Sequence, residues 1–207
     1  MIRTRVKYCG ITRAEDAQAA ADLGVDAIGL VFYPPSPRAV SIEQAREITS
    51  VLPAFVTVVA LFVDPDQQAV EQVLTDLPID LLQFHGDESA QYCQRYDWPY
   101  IKAVRMREGV DVAAVAKEHA EARGLLLDSY QAGVAGGTGQ TFDWAKVPNT
   151  CQSPIILAGG LNPENVASAI EQVRPYAVDV SGGIEAAKGI KELEKMKAFM
   201  RSVESVR

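Results

Sequence analysis

Hydrophobic and β-branched residues gather in eight short runs, and amphipathic stretches lie between most of them. The runs are Val6–Cys9, Ala27–Phe32, Val56–Val63, Leu81–Phe84, Tyr100–Val104, Gly124–Asp128, Ile155–Ala158 and Ala177–Val180. Runs of this length and composition predict buried strands. Their starts lie about 20–30 residues apart, which is the length of one strand–helix unit. The pattern therefore predicts parallel strands that alternate with helices.

Helices are predicted between most of these strands. The helical stretches are Ala14–Leu23, Ile42–Leu52, Gln67–Leu74, Ala90–Tyr96, Val112–Ala122, Pro163–Val173 and Lys191–Val203. Ser41 and Gln44 have the spacing of a capping box, and Gly24 is typical of a helix end. An open flavodoxin-like sheet would need only about five strands. Eight units without a linker predict an α/β protein with one (β/α)8 TIM barrel domain spanning residues 1–207.

Composition narrows the possible function classes. The net charge is −7 with acidic and basic residues interspersed, which argues against a nucleic-acid surface. Three widely spaced cysteines and two histidines predict neither a disulfide framework nor a zinc site. Reduced thiols and the lack of a signal-peptide pattern favour a cytoplasmic protein. No apolar stretch approaches the length of a membrane span, so no membrane partner is expected.

Two strands end in side chains that are suited to proton transfer. Cys9 closes the first apolar run and Asp128 closes the sixth. In a parallel barrel the carboxyl ends of the strands carry the chemistry, so a thiol and a carboxyl group there suggest a base and an acid facing one substrate. The alternative is that Cys9 is a small buried hydrophobic residue and that Asp128 caps a turn.

Glycine pairs follow the last two strands. Gly159-Gly160 follows the seventh strand, and Ser181-Gly182-Gly183 follows the eighth. Glycine allows the backbone to approach a ligand closely and leaves N–H groups that can point at oxygen atoms. Loops after strands seven and eight are the usual phosphate site of this fold, so these five residues predict a phosphate-binding barrel. Plain turns are the alternative.

With these features together, the chain closely resembles the phosphoribosylanthranilate isomerase family of tryptophan biosynthesis. The resemblance rests on seven motifs in the family's order: Lys7–Thr12, Phe32–Arg38, Gln83–Glu88, Leu127–Ser129, Gly136–Trp144, Ala158–Leu161 and Asp179–Glu185. It implies a barrel without metal or organic cofactor. It also implies an Amadori rearrangement of N-(5-phosphoribosyl)anthranilate to 1-(2-carboxyphenylamino)-1-deoxyribulose 5-phosphate.

The resemblance implies roles for five residues. Asp128 would be the general acid and Cys9 the general base, and Arg38 would bind the anthranilate carboxylate. Asp179 would orient the sugar hydroxyls, or it would be the partner of an inward-pointing Lys7. His85 is either a substrate contact or part of a structural hydrogen bond.

The acid–base assignment predicts opposed surroundings for the two catalytic groups. Asp128 needs a dry or negatively charged setting to keep its proton near neutral pH. Cys9 needs nearby positive charge or backbone dipoles to lose its own proton. Lys7 points into the barrel by strand alternation, so we expect it to pair with Asp179 or Asp128.

Several further expectations concern the rest of the chain. The glycine-rich stretch Ala135–Asp143 either closes over the substrate or is merely a mobile loop. His119 is expected in solvent. The partner is a small phosphosugar, and the protein is a monomer or a homodimer. Alternative functions are the related histidine-pathway isomerase, a ribulose-phosphate epimerase and a phosphosugar-binding protein that has lost catalysis.

Overall fold

The computed structural model describes residues 3–129, 142–148 and 150–206. At its centre, eight parallel strands close into a barrel in chain order. The strands are β1 Arg5–Cys9, β2 Ala27–Val31, β3 Thr57–Phe62, β4 Leu81–Phe84, β5 Tyr100–Met106, β6 Leu125–Ser129, β7 Ile155–Leu157 and β8 Ala177–Val180. The (β/α)8 barrel predicted from the sequence is confirmed.

Helices surround the barrel on its outer face. In the described part of the chain they are α1 Ala14–Asp22, α2 Ile42–Ser50, α3 Gln67–Asp76, α4 Ala90–Gln94, α5 Val112–Glu118, α6 Val166–Val173 and α7 Leu193–Glu204. The capping box predicted at α2 is present. The Ser41 hydroxyl accepts a hydrogen bond from the backbone N–H of Gln44, whose side chain accepts one from the backbone N–H of Ser41.

Alternation along β1 decides which side chains enter the barrel. Tyr8 points outward, where its hydroxyl donates to the Met196 backbone oxygen at 2.7 Å and its ring meets Phe199 edge-on. Lys7 and Cys9, on either side of Tyr8, therefore point inward. The barrel interior also holds a cluster of aliphatic side chains: Ile101, Ala103, Leu126, Ile156, Ala158 and Ala177.

The region after β8 differs from the prediction. The sequence predicts a helix from Lys191, but α7 begins only at Leu193. A 3-10 turn at Gly182–Ile184 is followed by an antiparallel hairpin of β9 Glu185–Ala187 and β10 Ile190–Lys191. The Lys191 side chain is buried and forms an ion pair with Glu185. This tertiary pairing overrides the helical pattern of the neighbouring residues.

Helix boundaries also differ near the seventh unit. The sequence predicts a helix from Pro163, but α6 begins at Val166. The Asn162 side chain accepts hydrogen bonds from the backbone N–H groups of Glu164 and Asn165, which forms a turn before the helix. Between β6 and β7 the described residues contain a 3-10 turn at Trp144–Lys146.

The expectation that His119 lies in solvent is wrong. His119 is buried at the end of α5, with its ring 6.3 Å from that of Tyr100 between centroids. Burial lowers the pKa of His119, and the nearby Lys102 ammonium lowers it further. The charged neighbours along α5 suggested a solvated face, but the chain leaves the helix at His119 and its side chain turns inward.

Candidate active site

A pocket opens at the carboxyl ends of the barrel strands. All ten site residues predicted from the sequence line it: Cys9, Arg38, His85, Asp128, Gly159, Gly160, Asp179, Ser181, Gly182 and Gly183. They come from six different strand ends or the loops that follow them. Closure of the barrel therefore brings together residues that are far apart in the sequence.

The base candidate Cys9 lies next to a buried ion pair. Lys7 Nζ is 2.7 Å from Asp179 Oδ1, and β1 pairs with β8 so that these two residues are in register. This confirms that Lys7 points inward and pairs with Asp179. Burial raises the pKa of the Cys9 thiol, and the Lys7 ammonium only partly opposes that rise. The expected ease of ionisation is therefore not reached in the ligand-free protein.

The lysine itself stays charged. Burial lowers the pKa of Lys7, but the charges of Asp179 and Cys9 and the hydrogen bonds to both outweigh burial, so that the net shift is upward. Folding thus leaves a permanent ammonium group beside the Cys9 thiol. An ammonium group at this position stabilises a thiolate more than a thiol.

Gly29 in β2 makes room for both groups. A Cβ atom on Gly29 would lie 2.8 Å from Cys9 Sγ and 3.0 Å from Lys7 Nζ. Distances this short mean that any larger residue would push at least one of the two side chains away. Gly29 is not among the site residues predicted from the sequence, because its role depends on a neighbouring strand rather than on its own motif.

The acid candidate Asp128 is buried at the end of β6. Its Oδ1 accepts a hydrogen bond from the backbone N–H of Ser129 at 2.8 Å, and its Oδ2 lies 3.1 Å from His85 Nε2. Asp128 is buried, being 5% exposed, and it lines the pocket. These contacts hold the carboxyl group in one orientation toward the pocket.

Gln83 and Arg105 hold His85 against Asp128. Gln83 Nε2 lies 2.9 Å from His85 Nδ1, and with this amide nitrogen as the donor the histidine proton is on Nε2, facing Asp128. Arg105 Nη2 donates to the backbone oxygen of His85 at 2.9 Å. The sequence left two interpretations of His85 open, and this chain of contacts gives it a hydrogen bond to the acid candidate. Gln83 was not predicted, although it lies in the same motif as His85.

The Arg38 side chain is largely buried, being 11% exposed. Its Nε and Nη2 atoms donate to the two carboxylate oxygens of Glu185, both at 2.7 Å. Burial by itself raises the pKa of Glu185, but Arg38 and Lys191 more than reverse this effect and hold it below its usual value. Glu185 and Lys191 were missed from the sequence, although Glu185 ends one of the motifs.

The glycine pairs after β7 and β8 meet at one side of the pocket. Gly159 and Gly160 both have positive φ angles, of 83° and 66°, which only glycine adopts easily. A side chain on Gly183 would collide with the backbone oxygen of Leu161 in the neighbouring loop. Among the described residues, the backbone N–H groups of Gly160, Gly182 and Gly183 have no protein acceptor. They can therefore donate to oxygen atoms of a ligand.

Most of the Ala135–Asp143 stretch lies outside the described residues, which include only Phe142 and Asp143 of it. Within the described ranges, no group of three or more His, Cys, Asp and Glu side chains is arranged to bind a metal ion. In the same part of the chain, no helix has both the length and the apolar character that crossing a membrane requires.

Similar proteins assign the chain to a family. The sequence model described as N-(5'phosphoribosyl)anthranilate (PRA) isomerase matches residues 6–202. The chain belongs to this family. It is therefore an isomerase of the aldose–ketose type. The N-(5'-phosphoribosyl)anthranilate isomerase of Nitrosococcus oceani is 60% identical over 205 residues, which cover 99% of this chain and 100% of that relative.

Solved structures of isomerases in the family have the same fold. Phosphoribosyl anthranilate isomerase from Thermotoga maritima superposes with a TM-score of 0.89 at 39% identity and covers 98% of this chain and 99% of its own. A phosphoribosyl anthranilate isomerase in complex with reduced 1-(o-carboxyphenylamino)-1-deoxyribulose 5-phosphate gives a TM-score of 0.82 at 36% identity, with 98% and 99% coverage.

Proposed function

We propose that this isomerase converts N-(5-phosphoribosyl)anthranilate to 1-(2-carboxyphenylamino)-1-deoxyribulose 5-phosphate in tryptophan biosynthesis, with Cys9 as general base and Asp128 as general acid. The observation that carries the proposal is that a thiol, a carboxyl group, a cationic side chain and two glycine-rich loops line one pocket. The substrate has matching chemistry, because it carries a carboxylate at one end and a phosphate at the other. The family's name and the bound compound of one relative support the same substrate.

The first step is opening of the sugar ring. Asp128 donates its proton to the ring oxygen as the bond between that oxygen and C1 breaks. The lone pair of the anthranilate nitrogen forms the C1=N bond, which gives a protonated Schiff base. Asp128 is suited to this step because its carboxyl group is buried and held by Ser129 and His85, so that it keeps one orientation.

The second step is removal of the proton from C2. The Cys9 thiolate takes this proton, and the electrons of the C–H bond form the C1=C2 bond of an enolamine while the nitrogen becomes neutral. Tautomerisation then adds a proton to C1 and removes one from the hydroxyl on C2. Cys9 has gained one proton and Asp128 has lost one, so this exchange can return both to their starting forms. The Lys7 ammonium favours the thiolate that starts the step.

The two anionic groups of the substrate orient it between acid and base. The N–H groups of Gly160, Gly182 and Gly183, which have no acceptor in the described part of the chain, are suited to the phosphate, as in other barrels of this type. The guanidinium of Arg38 is suited to the anthranilate carboxylate. With both ends held, the ring oxygen and C2 would lie within reach of Asp128 and Cys9 respectively.

Turnover of freshly generated N-(5-phosphoribosyl)anthranilate tests the proposed function. We expect the fluorescence of the anthranilate group to decay far faster with the protein than without it. The histidine-pathway aminoaldose and ribulose 5-phosphate should be assayed in parallel. Binding of phosphate ligands with no turnover would instead favour a phosphosugar-binding protein, and turnover of only one of the other substrates would favour the corresponding alternative enzyme.

Gly29→Ala should impair the base without unfolding the barrel. The added methyl group would displace Cys9 Sγ or Lys7 Nζ, and a shift of about 1 Å in a catalytic group costs about 100-fold in rate. We expect kcat/KM to fall by about 10- to 100-fold, measured by the same fluorescence decay. Ile28→Val on the outward face of β2 is the matched control, because it removes core contacts but leaves the pocket unchanged. Equal activity of both variants would contradict the proposed role of Cys9.

A further inference from the structure

A cluster of three charged side chains lies beside the pocket, and the mechanism above uses only one of them directly. Arg38, Glu185 and Lys191 are 11%, 6% and 0% exposed at their side chains. Arg38 donates twice to the Glu185 carboxylate, and Lys191 Nζ donates to Glu185 Oε1 at 3.0 Å. Two cations share one anion, so this triad carries one net positive charge when Lys191 is protonated. Burial lowers the pKa of Lys191, and the Glu185 carboxylate opposes that fall.

Lys191 connects the triad to the ends of two barrel strands. Its Nζ atom donates to the backbone oxygen of Cys9 at 2.7 Å and to the backbone oxygen of Ser181 at 3.1 Å. The Ser181 hydroxyl lies 3.4 Å from the same nitrogen. One ammonium group therefore holds the residue that carries the thiol and the first residue of the phosphate loop. A hydrophobic residue of the same size could fill the space but could not make these contacts.

Glu185 determines which side of the Arg38 guanidinium faces a ligand. The carboxylate occupies the edge formed by Nε and Nη2, while Nη1 has no hydrogen-bond partner among the described residues. Glu185 is itself held by the backbone N–H of Gly189 at 3.2 Å and by Lys191. A ligand carboxylate can thus be bound through Nη1 and the second N–H of Nη2, but not through the edge that Glu185 occupies.

The charges around Cys9 show why the triad matters for the thiol. Lys7 faces it from β1, Asp179 from β8, Lys191 from β10 and Arg38 from the loop after β2. Lys7 and Asp179 form an ion pair. Asp179 offsets only part of the effect of Lys7 on the thiol, and Lys191 of the triad adds positive charge from the other side.

We propose that Glu185 and Lys191 are positioning residues: Glu185 presents the Nη1 end of Arg38 to a ligand carboxylate, and Lys191 adds positive charge that favours the Cys9 thiolate. The first part of this inference rests on the proposed function, because the carboxylate is that of the proposed substrate. The second part does not, because ionisation of Cys9 can be measured without turnover.

Titration of Cys9 in the ligand-free protein tests the charge of the triad. The rate of alkylation by iodoacetamide is measured against pH, and the peptide that contains Cys9 is quantified by mass spectrometry to separate it from Cys93 and Cys151. Lys191→Met makes the triad neutral and should raise the apparent pKa of Cys9 by about one pH unit. Glu185→Gln makes the triad doubly positive and should lower it. The double variant restores one net charge and should lie near the wild type.

Lys102→Met is the matched control, because Lys102 is also a buried lysine, paired with Glu88, but it does not face Cys9. It should lose stability as Lys191→Met does and leave the Cys9 titration unchanged. The proposal would be overturned if the apparent pKa of Cys9 moved in the same direction in Lys191→Met and Glu185→Gln, or moved in neither. If Lys191→Met does not fold, Glu185→Gln remains informative, because glutamine has the same number of heavy atoms as glutamate. It still tests whether loss of the Glu185 charge lowers the apparent pKa of Cys9.

Binding of inorganic phosphate provides a second readout by calorimetry. Lys191→Met should weaken it by about 10-fold, since it removes both the charge and the contact to Ser181, whereas Glu185→Gln should keep or strengthen it. A purely structural role for the triad would weaken binding in both variants, which would contradict the inference. Turnover measured on the same samples separates the two proposals. Normal turnover of the wild type without the expected pKa shifts of Cys9 refutes only the role of the triad. The expected pKa shifts without any turnover refute only the proposed function.

Discussion

Cys9→Ser should lower kcat/KM by about 1,000-fold while the barrel stays folded. A serine hydroxyl has nearly the size of the thiol, but it ionises far less readily, so even the charges of Lys7 and the triad cannot make it a useful base. The measurement is the rate of fluorescence decay of the substrate, together with circular dichroism to confirm the fold. Retained thermal stability with lost activity would assign the loss to chemistry rather than to folding.

Cys151→Ser is the control for this substitution. Cys151 is half-buried, lies before β7 and does not line the pocket, so its replacement should leave kcat/KM unchanged. If Cys9→Ser retained more than about a tenth of the wild-type activity, proton transfer from C2 would have to use another group, and the general-base assignment would be wrong.

Asp128→Asn should also lower kcat/KM by about 1,000-fold, because an amide cannot donate a proton to the ring oxygen. The amide oxygen can still accept the hydrogen bond from the backbone N–H of Ser129, so the local fold should persist. The amide nitrogen would face the Nε2 proton of His85, and two donors in contact would force His85 to change its tautomer. Activity and the nitrogen-15 NMR shifts of His85 together measure both effects.

Asp80→Asn is the matched control for Asp128→Asn. The Asp80 carboxylate accepts a hydrogen bond from the backbone N–H of Val58, much as Asp128 does from Ser129, but it lies before β4 and outside the pocket. It should affect stability alone. Comparable losses of kcat/KM in both variants, or full activity in Asp128→Asn, would refute the general-acid assignment.

The barrel and the ends of its strands were predictable because both depend on local patterns. Apolar runs with a fixed spacing indicated the eight strands, and the last residue of a run indicated a position at the edge of the pocket. Strand alternation also placed Lys7 inside the barrel, and the cost of burying an ammonium predicted its ion pair with Asp179.

The other residues around the site could not be predicted, because their roles depend on contacts between residues that are far apart in the sequence. Arg38 was predicted as a ligand for a carboxylate, but its protein partner, Glu185, is 147 residues away in the sequence. Lys191 was placed in a helix, because nothing next to it indicates that its side chain reaches the backbone of Cys9. Gly29 was not selected because its importance comes from the side chains of β1.

The ion pairs and hydrogen bonds around Lys191 have a consequence for how the protein becomes active during synthesis. Lys191 and Cys9 are 182 residues apart, and Asp16 accepts a hydrogen bond from the backbone N–H of Lys191 across 175 residues. Contacts of such long sequence separation form late, after shorter-range pairings. A ribosome-bound chain that has not yet exposed β10 would have an incomplete pocket, however many strands had already folded. The thiol would thus acquire its full set of charges only when nearly the whole barrel has been made.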